Sequence, residues 1–379
     1  MSDETATDET MTAAMYHGRG DIRIEQAPVP TAGPGDLLLR VGTVGVCGTD
    51  AGEWDHGPVQ IPLEHPHPAS GWHGPMAIGH EFSGTVVSVG EGVDPSWIGR
   101  RVASCGAAPC GECAACERGE SNLCRRYAGV GLHRPGALAG YVSTPVASCV
   151  SIEGLGISLD EAALAQPMGI AVHNVRRAGD VDGQLVLLLG AGAIGAFLIV
   201  ALKAAGANVI AADVSDERLG IATEMGADEV VRVAAGPDDA DTLRAAVGAR
   251  DLRVVFEVSG TAGGLATALD VAPTGARIVS VGIQRRPVEI DLGQITIREK
   301  SIIGTNALVR EIDFPRAVEL VASRAGRWGR IAPDVLPIAD VVEGALRPMS
   351  EGRAPAIKTL IDPWAVEPRP ISVSPSRPS

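Results

Sequence analysis

The sequence predicts an α/β protein in which a β-rich region is joined to a doubly wound parallel sheet. Within residues 1–165, short apolar runs such as DLLLRVGTVGV and FSGTVVSVG are separated by glycine and proline turns, a pattern typical of β-strands. Between residues 166 and 308, apolar runs alternate with helical segments, as in a parallel sheet with crossover helices. Residues 309–379 add a helical pattern near FPRAVELVAS and a strand-like AIKTLID.

Composition narrows the class of protein and its partners. The 379 residues are enough for two to three domains, and 45% apolar with 21% charged residues is an ordinary globular composition. A net charge of -14 opposes binding to nucleic acid or to an anionic membrane, because both are polyanionic. The first residues, MSDETATDET, lack the features of a secretory signal, so we expect a cytoplasmic protein. We expect MSDETATDET and the terminal SVSPSRPS to be disordered tails.

One apolar segment could be either a membrane-spanning helix or part of a buried core. LVLLLGAGAIGAFLIVAL, residues 185–202, is long enough to raise the possibility of a transmembrane helix. Gly190, Gly192 and Gly195 divide it into a β-rich run followed by a helical one. The sequence therefore favours a strand and a helix of a globular domain.

Four of the seven cysteines lie in one short stretch, CGECAACERGESNLC. The spacing C-x2-C-x2-C-x7-C lets tight turns direct four sulfurs to a common centre, and a site closed by four thiolates is a structural zinc site. Its ligands would be Cys110, Cys113, Cys116 and Cys124. Free thiols on a loop and a C-x-x-C redox pair are the alternatives. Cys105 and Cys149 lie outside the pattern, and we expect both to be buried as small apolar side chains.

A second set of metal-ligating residue types lies upstream. Cys47 follows a strand-like run in VGVCGTD, and His80 and Glu81 lead into another strand in GHEFSG. One thiolate, one imidazole and one carboxylate are ligand types of an open, catalytic zinc site. The alternative is that His80 is a hydrogen-bonded structural residue and that Glu81 is a surface charge.

A glycine pattern in the second region indicates a dinucleotide site. The β-rich run ends at Gly190, and GAGAIG continues through Gly192, Ala193, Ile194 and Gly195 into a helical segment. In the Rossmann fold these glycines permit a tight turn, a close approach of the backbone to the pyrophosphate, and packing of helix on strand. The amino end of the helix then offers free N–H groups to phosphate.

The next strand-like run, NVIAAD, ends in Asp213, about 20 residues after the glycines. A carboxylate there accepts hydrogen bonds from the adenosine ribose and repels a 2′-phosphate, which favours NAD over NADP. Arg218 follows five residues later and flanks the adenine or partners a phosphate.

Together these motifs resemble the zinc-dependent medium-chain alcohol dehydrogenases, in the branch of the (R,R)-butanediol and sorbitol dehydrogenases. The resemblance rests on CGTD (47–50), GHEFSG (79–84), the four-cysteine stretch, NLC (122–124), GAGAIG (190–195) and Asp213. It implies a catalytic zinc domain with a structural zinc lobe over 1–165, a Rossmann NAD-binding domain over 166–308, and a return to the catalytic domain over 309–379. It also implies two zinc ions per chain and a homodimer or homotetramer paired through the segment around KSIIGTNAL.

The same resemblance assigns roles to the catalytic zinc ligands. Cys47 and His80 would bind the ion, and Glu81 would bind it directly or lie beside its ligands. Family members often add a glutamate where this chain has Gln166, and a neutral amide oxygen is a poorer ligand than a carboxylate. Gln166 would therefore bind weakly or through water.

The proton path is implied in the same way. Thr49 matches the hydroxyl that accepts the proton of the substrate alcohol, and many relatives have a relay histidine where this chain has Gly52. His56 either completes the relay or is an ordinary loop residue.

The implied reaction is hydride transfer between a secondary alcohol or its ketone and NAD. GPVQIP followed by PHP resembles the substrate-side loop of butanediol dehydrogenases, whereas EWDHG resembles sorbitol dehydrogenases. The substrate thus stays open between a small diol such as 2,3-butanediol and a longer polyol. A zinc-independent reductase leaves Cys47 and His80 unexplained. A non-catalytic NAD-binding protein is supported only by Gln166 and Gly52.

Overall fold

The computed structural model describes residues 9–284 and 286–373. Its strands, in chain order, are β1 Thr10–Gly18, β2 Asp21–Pro28, β3 Asp36–Gly45, β4 Met76–Ala77, β5 Glu81–Val89, β6 Arg101–Ser104, β7 Tyr141–Pro145, β8 Cys149–Ser151, β9 Leu185–Leu189, β10 Asn208–Asp213, β11 Glu229–Arg232, β12 Leu252–Glu257, β13 Arg277–Ser280, β14 Ser301–Gly304, β15 Asp334–Pro337, β16 Leu360–Asp362 and β17 Arg369–Pro370. Its α-helices are α1 Gly48–His56, α2 Ala114–Glu117, α3 Leu159–Ala163, α4 Ala165–Ala178, α5 Ala193–Ala204, α6 Asp216–Met225, α7 Asp239–Val247, α8 Ala262–Val271, α9 Leu292–Ile297, α10 Asp313–Ser323 and α11 Arg347–Ser350.

The chain divides into two compact units. The first contains Met1–Gln166 and Val309–Ser379, and the second contains Pro167–Leu308. Gln166 therefore belongs to the first unit.

The first unit is built on strands that pair antiparallel, except for the parallel pair β15 and β16. An eight-stranded sheet runs in the order β17-β15-β16-β3-β5-β6-β8, with β7 also paired to β3, and a smaller sheet runs β2-β1-β4. The segment after residue 309 joins this unit through β16, where Leu360 lies opposite Gly45 of β3. Val44, Phe82 and Ile361 belong to the apolar core beneath the larger sheet.

The second unit is a six-stranded parallel sheet in the order β11-β10-β9-β12-β13-β14. The strand order reverses between β9 and β12, which is the doubly wound arrangement of Rossmann folds. All five side chains of β9 are buried, as expected for a central parallel strand covered on both faces. The predicted fold class, a β-rich part with a doubly wound Rossmann sheet, is confirmed.

The apolar segment 185–202 folds as predicted, into β9 and α5 joined by the glycine turn. Within the described residues, no helix has the length and apolar character needed to cross a membrane.

The two predicted tails lie mostly outside the described residues, but their inner ends are ordered, contrary to prediction. Thr10 already belongs to β1, where it pairs with Pro28. Ser372 donates its N–H to Asp160 at 2.7 Å and accepts a hydrogen bond from the Ser158 hydroxyl. These backbone hydrogen bonds fix residues that composition alone marks as flexible.

Candidate metal centres and cofactor site

The four clustered cysteines converge on one point. One sulfur from each of Cys110, Cys113, Cys116 and Cys124 lies within 4.8 Å of the others. The Cys113 sulfur is 3.6 Å from that of Cys116 and 3.8 Å from that of Cys124, and the sulfurs of Cys110 and Cys124 are 3.4 Å apart. A zinc tetrahedron with bonds of ~2.3 Å separates its sulfurs by ~3.8 Å. The four side chains fit a structural zinc ion.

Backbone N–H groups already prepare these sulfurs for negative charge. Those of Cys110 and Arg126 donate to the Cys124 sulfur at 3.2 and 3.3 Å. Backbone donors at Cys116 and Arg125 lower the pKa of Cys113 to about 6. Burial raises the pKa of Cys116 to about 12, and metal binding requires its thiolate form.

The second group, Cys47, His80 and Glu81, is assembled by two neighbouring strands. Gly45 at the end of β3 lies directly opposite Glu81 at the start of β5. Cys47 follows β3 and His80 precedes β5, so strand pairing brings their side chains together. One ligand atom from each of the three residues lies within 4.8 Å of the others. An added Cβ at Gly45 would collide with the Glu81 carboxylate, so glycine leaves room for this side chain.

Asp50 orients two members of this group. Its Oδ2 accepts the Cys47 N–H at 2.8 Å, and its Oδ1 lies 3.4 Å from Nδ1 of His80. Nδ1 is buried and forms no hydrogen bond of good geometry within the described residues. A proton on Nδ1 that faces Asp50 leaves the lone pair of Nε2 for a metal ion. Burial lowers the pKa of His80, but Asp50 and Cys47 raise it by more, and the result is well above its ordinary value.

Glu81 is paired with a buried cation. Lys358 Nζ lies 2.9 Å from Oε1 and 2.7 Å from Oε2 of Glu81, and it also donates to the carbonyl of Val46 at 3.1 Å. Burial lowers the pKa of Lys358, but Glu81 raises it by more, so it stays above its ordinary value. The pair leaves this group of side chains with no uncompensated carboxylate.

The other residues that the sequence assigned to the catalytic site lie outside the Cys47, His80 and Glu81 group. The Thr49 hydroxyl is 3.7 Å from the Cys47 sulfur. His56 is the last residue of α1, roughly 12 Å along the helix axis from its first residue, and its half-exposed ring pairs with Asp55 at 2.8 Å. Gln166 lies half-buried in α4. At Gly52 an added Cβ meets no atom within 4 Å.

The glycine turn of the second unit has the features of a phosphate-binding loop. Gly190 has φ of 103°, a left-handed conformation that favours glycine. A Cβ at Gly195 would collide with the Gly190 carbonyl, whereas at Gly192 it would meet nothing within 4 Å. Gly192 caps the amino end of α5, where Ala193 and Ile194 begin the helix. The turn is thus tight at Gly190 and Gly195 and open at Gly192, which fits a pyrophosphate against the helix terminus.

Asp213 at the end of β10 is tied to this turn. Its Oδ2 accepts the Ala191 N–H at 2.7 Å, and its Oδ1 accepts the Ser215 N–H at 2.9 Å. Arg218 Nη1 lies 3.8 Å from the same Oδ1. The Asp213 carboxylate is therefore held in place beside the glycine turn.

Comparison with known proteins gives the family. A profile described as "Alcohol dehydrogenase GroES-like domain" matches residues 33–154, and one described as "Zinc-binding dehydrogenase" matches residues 193–323. The chain is 31% identical to 2-dehydro-3-deoxy-L-galactonate 5-dehydrogenase of Pseudoalteromonas atlantica, over 93% of this chain and 98% of that protein. The chain belongs to the zinc-binding alcohol dehydrogenase family. This dehydrogenase is also 34% identical to sorbitol dehydrogenase of Bombyx mori, over 78% of its own length and 83% of that protein.

Solved structures agree with the sequence relatives. The fold of this dehydrogenase superposes on 2R,3R-butanediol dehydrogenase from Bacillus subtilis with a TM-score of 0.84 and 30% identity, over 93% of this chain and 99% of that one. The predicted resemblance to the butanediol and sorbitol branch is confirmed. The chain is therefore an alcohol-type, zinc-containing dehydrogenase.

Two residues of the candidate site were missed by the sequence reasoning. Asp50 is the last residue of CGTD, and a carboxylate three residues after Cys47 is placed to accept the Cys47 N–H at the start of the following helix. Lys358 carried a clearer signal. It is one of three lysines in this dehydrogenase, and it lies in the strand-like run AIKTLID. A lone cation in a buried strand predicts a buried carboxylate partner.

Proposed function

We propose that this dehydrogenase transfers hydride between a secondary alcohol or vicinal diol, such as 2,3-butanediol, and NAD. The convergence of Cys47, His80 and Glu81 beside Lys358 is the observation that carries the proposal. When bound, zinc supplies a Lewis acid for the substrate oxygen and NAD supplies the hydride acceptor.

The side chains of the first unit then divide the work. Cys47 and His80 hold the catalytic ion, and Asp50 keeps the imidazole in the orientation that binding needs. Thr49, whose hydroxyl lies 3.7 Å from the Cys47 sulfur, accepts the hydroxyl proton of the substrate by hydrogen bond. We further propose Gln166 as a weak or water-mediated ligand and His56 as the end of the proton relay.

The four-cysteine site would hold a second, structural zinc ion. All four ligands are thiolates, so no position is left for substrate. The sulfur separations of 3.4, 3.6 and 3.8 Å support this proposal. The expected content is therefore two zinc ions per chain.

NAD is proposed over NADP because Asp213 is a fixed carboxylate beside the glycine turn. A 2′-phosphate at this position would meet its negative charge. Arg218 could pair with a 2′-phosphate and so favour NADP, but its guanidinium already faces the Asp213 carboxylate at 3.8 Å.

We propose a small diol as the substrate, with a sorbitol-like polyol as the alternative. EWDHG ends α1, and GPVQIP lies in the loop that follows this helix. The loop is held by Glu53, whose buried carboxylate accepts the backbone N–H groups of Val59 at 2.9 Å and Gln60 at 2.6 Å. Glu53 thus fixes the start of the segment that resembles the butanediol dehydrogenases.

We propose a homo-oligomer paired through β14. This strand lies at the edge of the six-stranded sheet, and Ile302 is 39% exposed there. An apolar edge strand is normally covered in the working protein. The cytoplasmic location stays a prediction from the sequence.

A substrate screen tests the proposal. The purified, zinc-loaded enzyme is assayed with the stereoisomers of 2,3-butanediol, acetoin, sorbitol, xylitol and simple secondary alcohols, each with NAD and NADP. We expect the highest kcat/KM for a vicinal diol with NAD. Higher kcat/KM for sorbitol favours the polyol alternative. Binding of NAD without turnover of any substrate favours the non-catalytic alternative.

A further inference from the structure

Glu257 is a buried carboxylate that has no cationic partner among the residues the structure describes. It ends β12, its side chain is fully buried, and no ion pair among the described residues includes it. Gly260 N–H donates to Oε1 at 3.0 Å, the Ser259 hydroxyl donates to the same oxygen, and Gln284 Nε2 donates to Oε2 at 3.4 Å. Burial raises the pKa of Glu257 above its ordinary value, and the hydrogen bonds to both oxygens oppose part of that rise by favouring the anionic form.

The same residue joins two loops to the glycine turn. Its carbonyl accepts the N–H groups of Val281 at 2.8 Å and Gly282 at 3.0 Å, so the loop after β13 is held against the loop after β12. Glu257 also lies opposite Leu189, the residue before Gly190. A Cβ at Gly190 would lie only 2.9 Å from the Ser259 nitrogen. The loop that Glu257 organises is therefore packed directly on the turn proposed to bind pyrophosphate.

The strand order indicates which half of the cofactor would lie beside the loops after β12 and β13. In a doubly wound sheet, the dinucleotide lies across the carboxyl ends of the strands where their order reverses, with one mononucleotide on each side. Here the reversal is between β9 and β12. Asp213 ends β10 on one side and is the proposed adenosine partner. The ends of β12 and β13, and with them Glu257, are left for the nicotinamide half.

The two redox forms of the nicotinamide differ in charge. The ring of NAD+ carries a positive charge, and the ring of NADH is neutral. A buried anion without a counter-ion interacts strongly with a cation across a medium of low dielectric. We propose, on the basis of the proposed NAD use, that Glu257 is a positioning residue that holds both loops and favours binding of NAD+ over NADH.

The test measures affinities rather than turnover. The dissociation constants of NAD+ and NADH are determined by calorimetry and by NADH fluorescence at neutral pH, for the wild type, Glu257→Gln and Glu257→Asp. We expect Glu257→Gln to weaken NAD+ binding by about tenfold. NADH binding should change by less than about twofold. Glu257→Asp keeps the charge and should retain most of the preference.

A matched control is Asp239→Asn. Asp239 is also a buried carboxylate that holds a loop, through the N–H groups of Ala234 and Gly236, but it follows β11 on the other side of the sheet. Asp239→Asn should leave the ratio of the dissociation constants of NADH and NAD+ unchanged. If Glu257→Gln does not fold, Gln284→Lys is the second variant. It places an ammonium beside the intact carboxylate and should also reduce the preference for NAD+ over NADH.

Equal weakening of both redox forms, or no weakening of either, would overturn the proposal while leaving the proposed function intact. A wild-type protein that binds neither NAD+ nor NADH would overturn both.

Discussion

Lys358 Nζ lies 2.7 Å from Glu81 Oε2 in an ion pair whose two side chains are 3% and 1% exposed. The two residues are far apart in the chain and meet because β16 pairs with β3 while β3 pairs with β5. The pair connects the segment after residue 309 to the start of β5, where the candidate metal ligands lie.

Replacing Lys358 by Met should destabilise the first unit. Removal of one partner of a buried ion pair leaves an uncompensated charge, which costs about 3–5 kcal/mol. Urea unfolding in excess zinc measures the loss of stability. The double variant Glu81→Gln with Lys358→Met should regain most of the lost stability, because neither charge is then unpaired.

Lys203→Met is the matched control. Lys203 pairs with Asp228 at 2.7 Å, but the two side chains are 30% and 44% exposed, so its loss should cost less than about 1 kcal/mol. Equal urea midpoints for Lys358→Met and wild type would contradict the importance of the buried pair.

The two proposed zinc sites should be separable by mutation. Cys47→Ser should reduce the zinc content from about two to about one per chain and abolish turnover, while the protein stays folded. Cys113→Ser should also lose about one zinc, but with a marked fall in Tm, because the closed site contributes to folding. Metal analysis with calorimetry checks both. Cys105→Ala, at a buried thiol outside both groups, should retain both ions. A Cys47→Ser enzyme with full turnover would remove the catalytic role of that site.

Asp213→Ala should relax the preference for NAD. With the carboxylate removed, Arg218 is free to meet a 2′-phosphate, and the ratio of kcat/KM for NADP over NAD should rise about tenfold or more. Asp216→Ala is the control, since that carboxylate begins α6 and its side chain is 86% exposed. An unchanged ratio in the Asp213 variant would remove this residue from cofactor selection.

Asp160 should make stability depend on acid pH. Burial raises its pKa, but hydrogen bonds from Arg369 and Thr43 lower it by more, so the net pKa lies below its ordinary value. A group with a lowered folded-state pKa stabilises the protein above its unfolded pKa of about 4, and that contribution is lost as pH falls through the folded value.

Asp160→Asn should therefore lower the urea midpoint at pH 7, and the difference from wild type should shrink below about pH 4. Arg369 donates to Asp160 at 2.6 and 2.9 Å, so Arg369→Gln should behave in the same way. A difference from wild type that stays constant between pH 3 and 7 would contradict this assignment.

Local sequence determined the elements of this protein and their chemistry. The continuous apolar run of β9, followed by a glycine turn and a helix, predicts a buried parallel strand, because such a strand is covered on both faces and the turn geometry is set within a few residues. The same holds for the four cysteines, whose spacing is short enough for tight turns to bring them together. Family, fold class and metal-ligating residue types could therefore be predicted from the sequence.

Tertiary structure alone decided which distant residues complete the site. Lys358 meets Glu81, and Glu257 joins the loops after β12 and β13, only because strand order and register bring them together. Strand pairing between remote segments depends on the packing of the whole sheet rather than on local preference. Burial removes water from these carboxylates, so they depend on hydrogen-bond and ion-pair partners from remote parts of the chain.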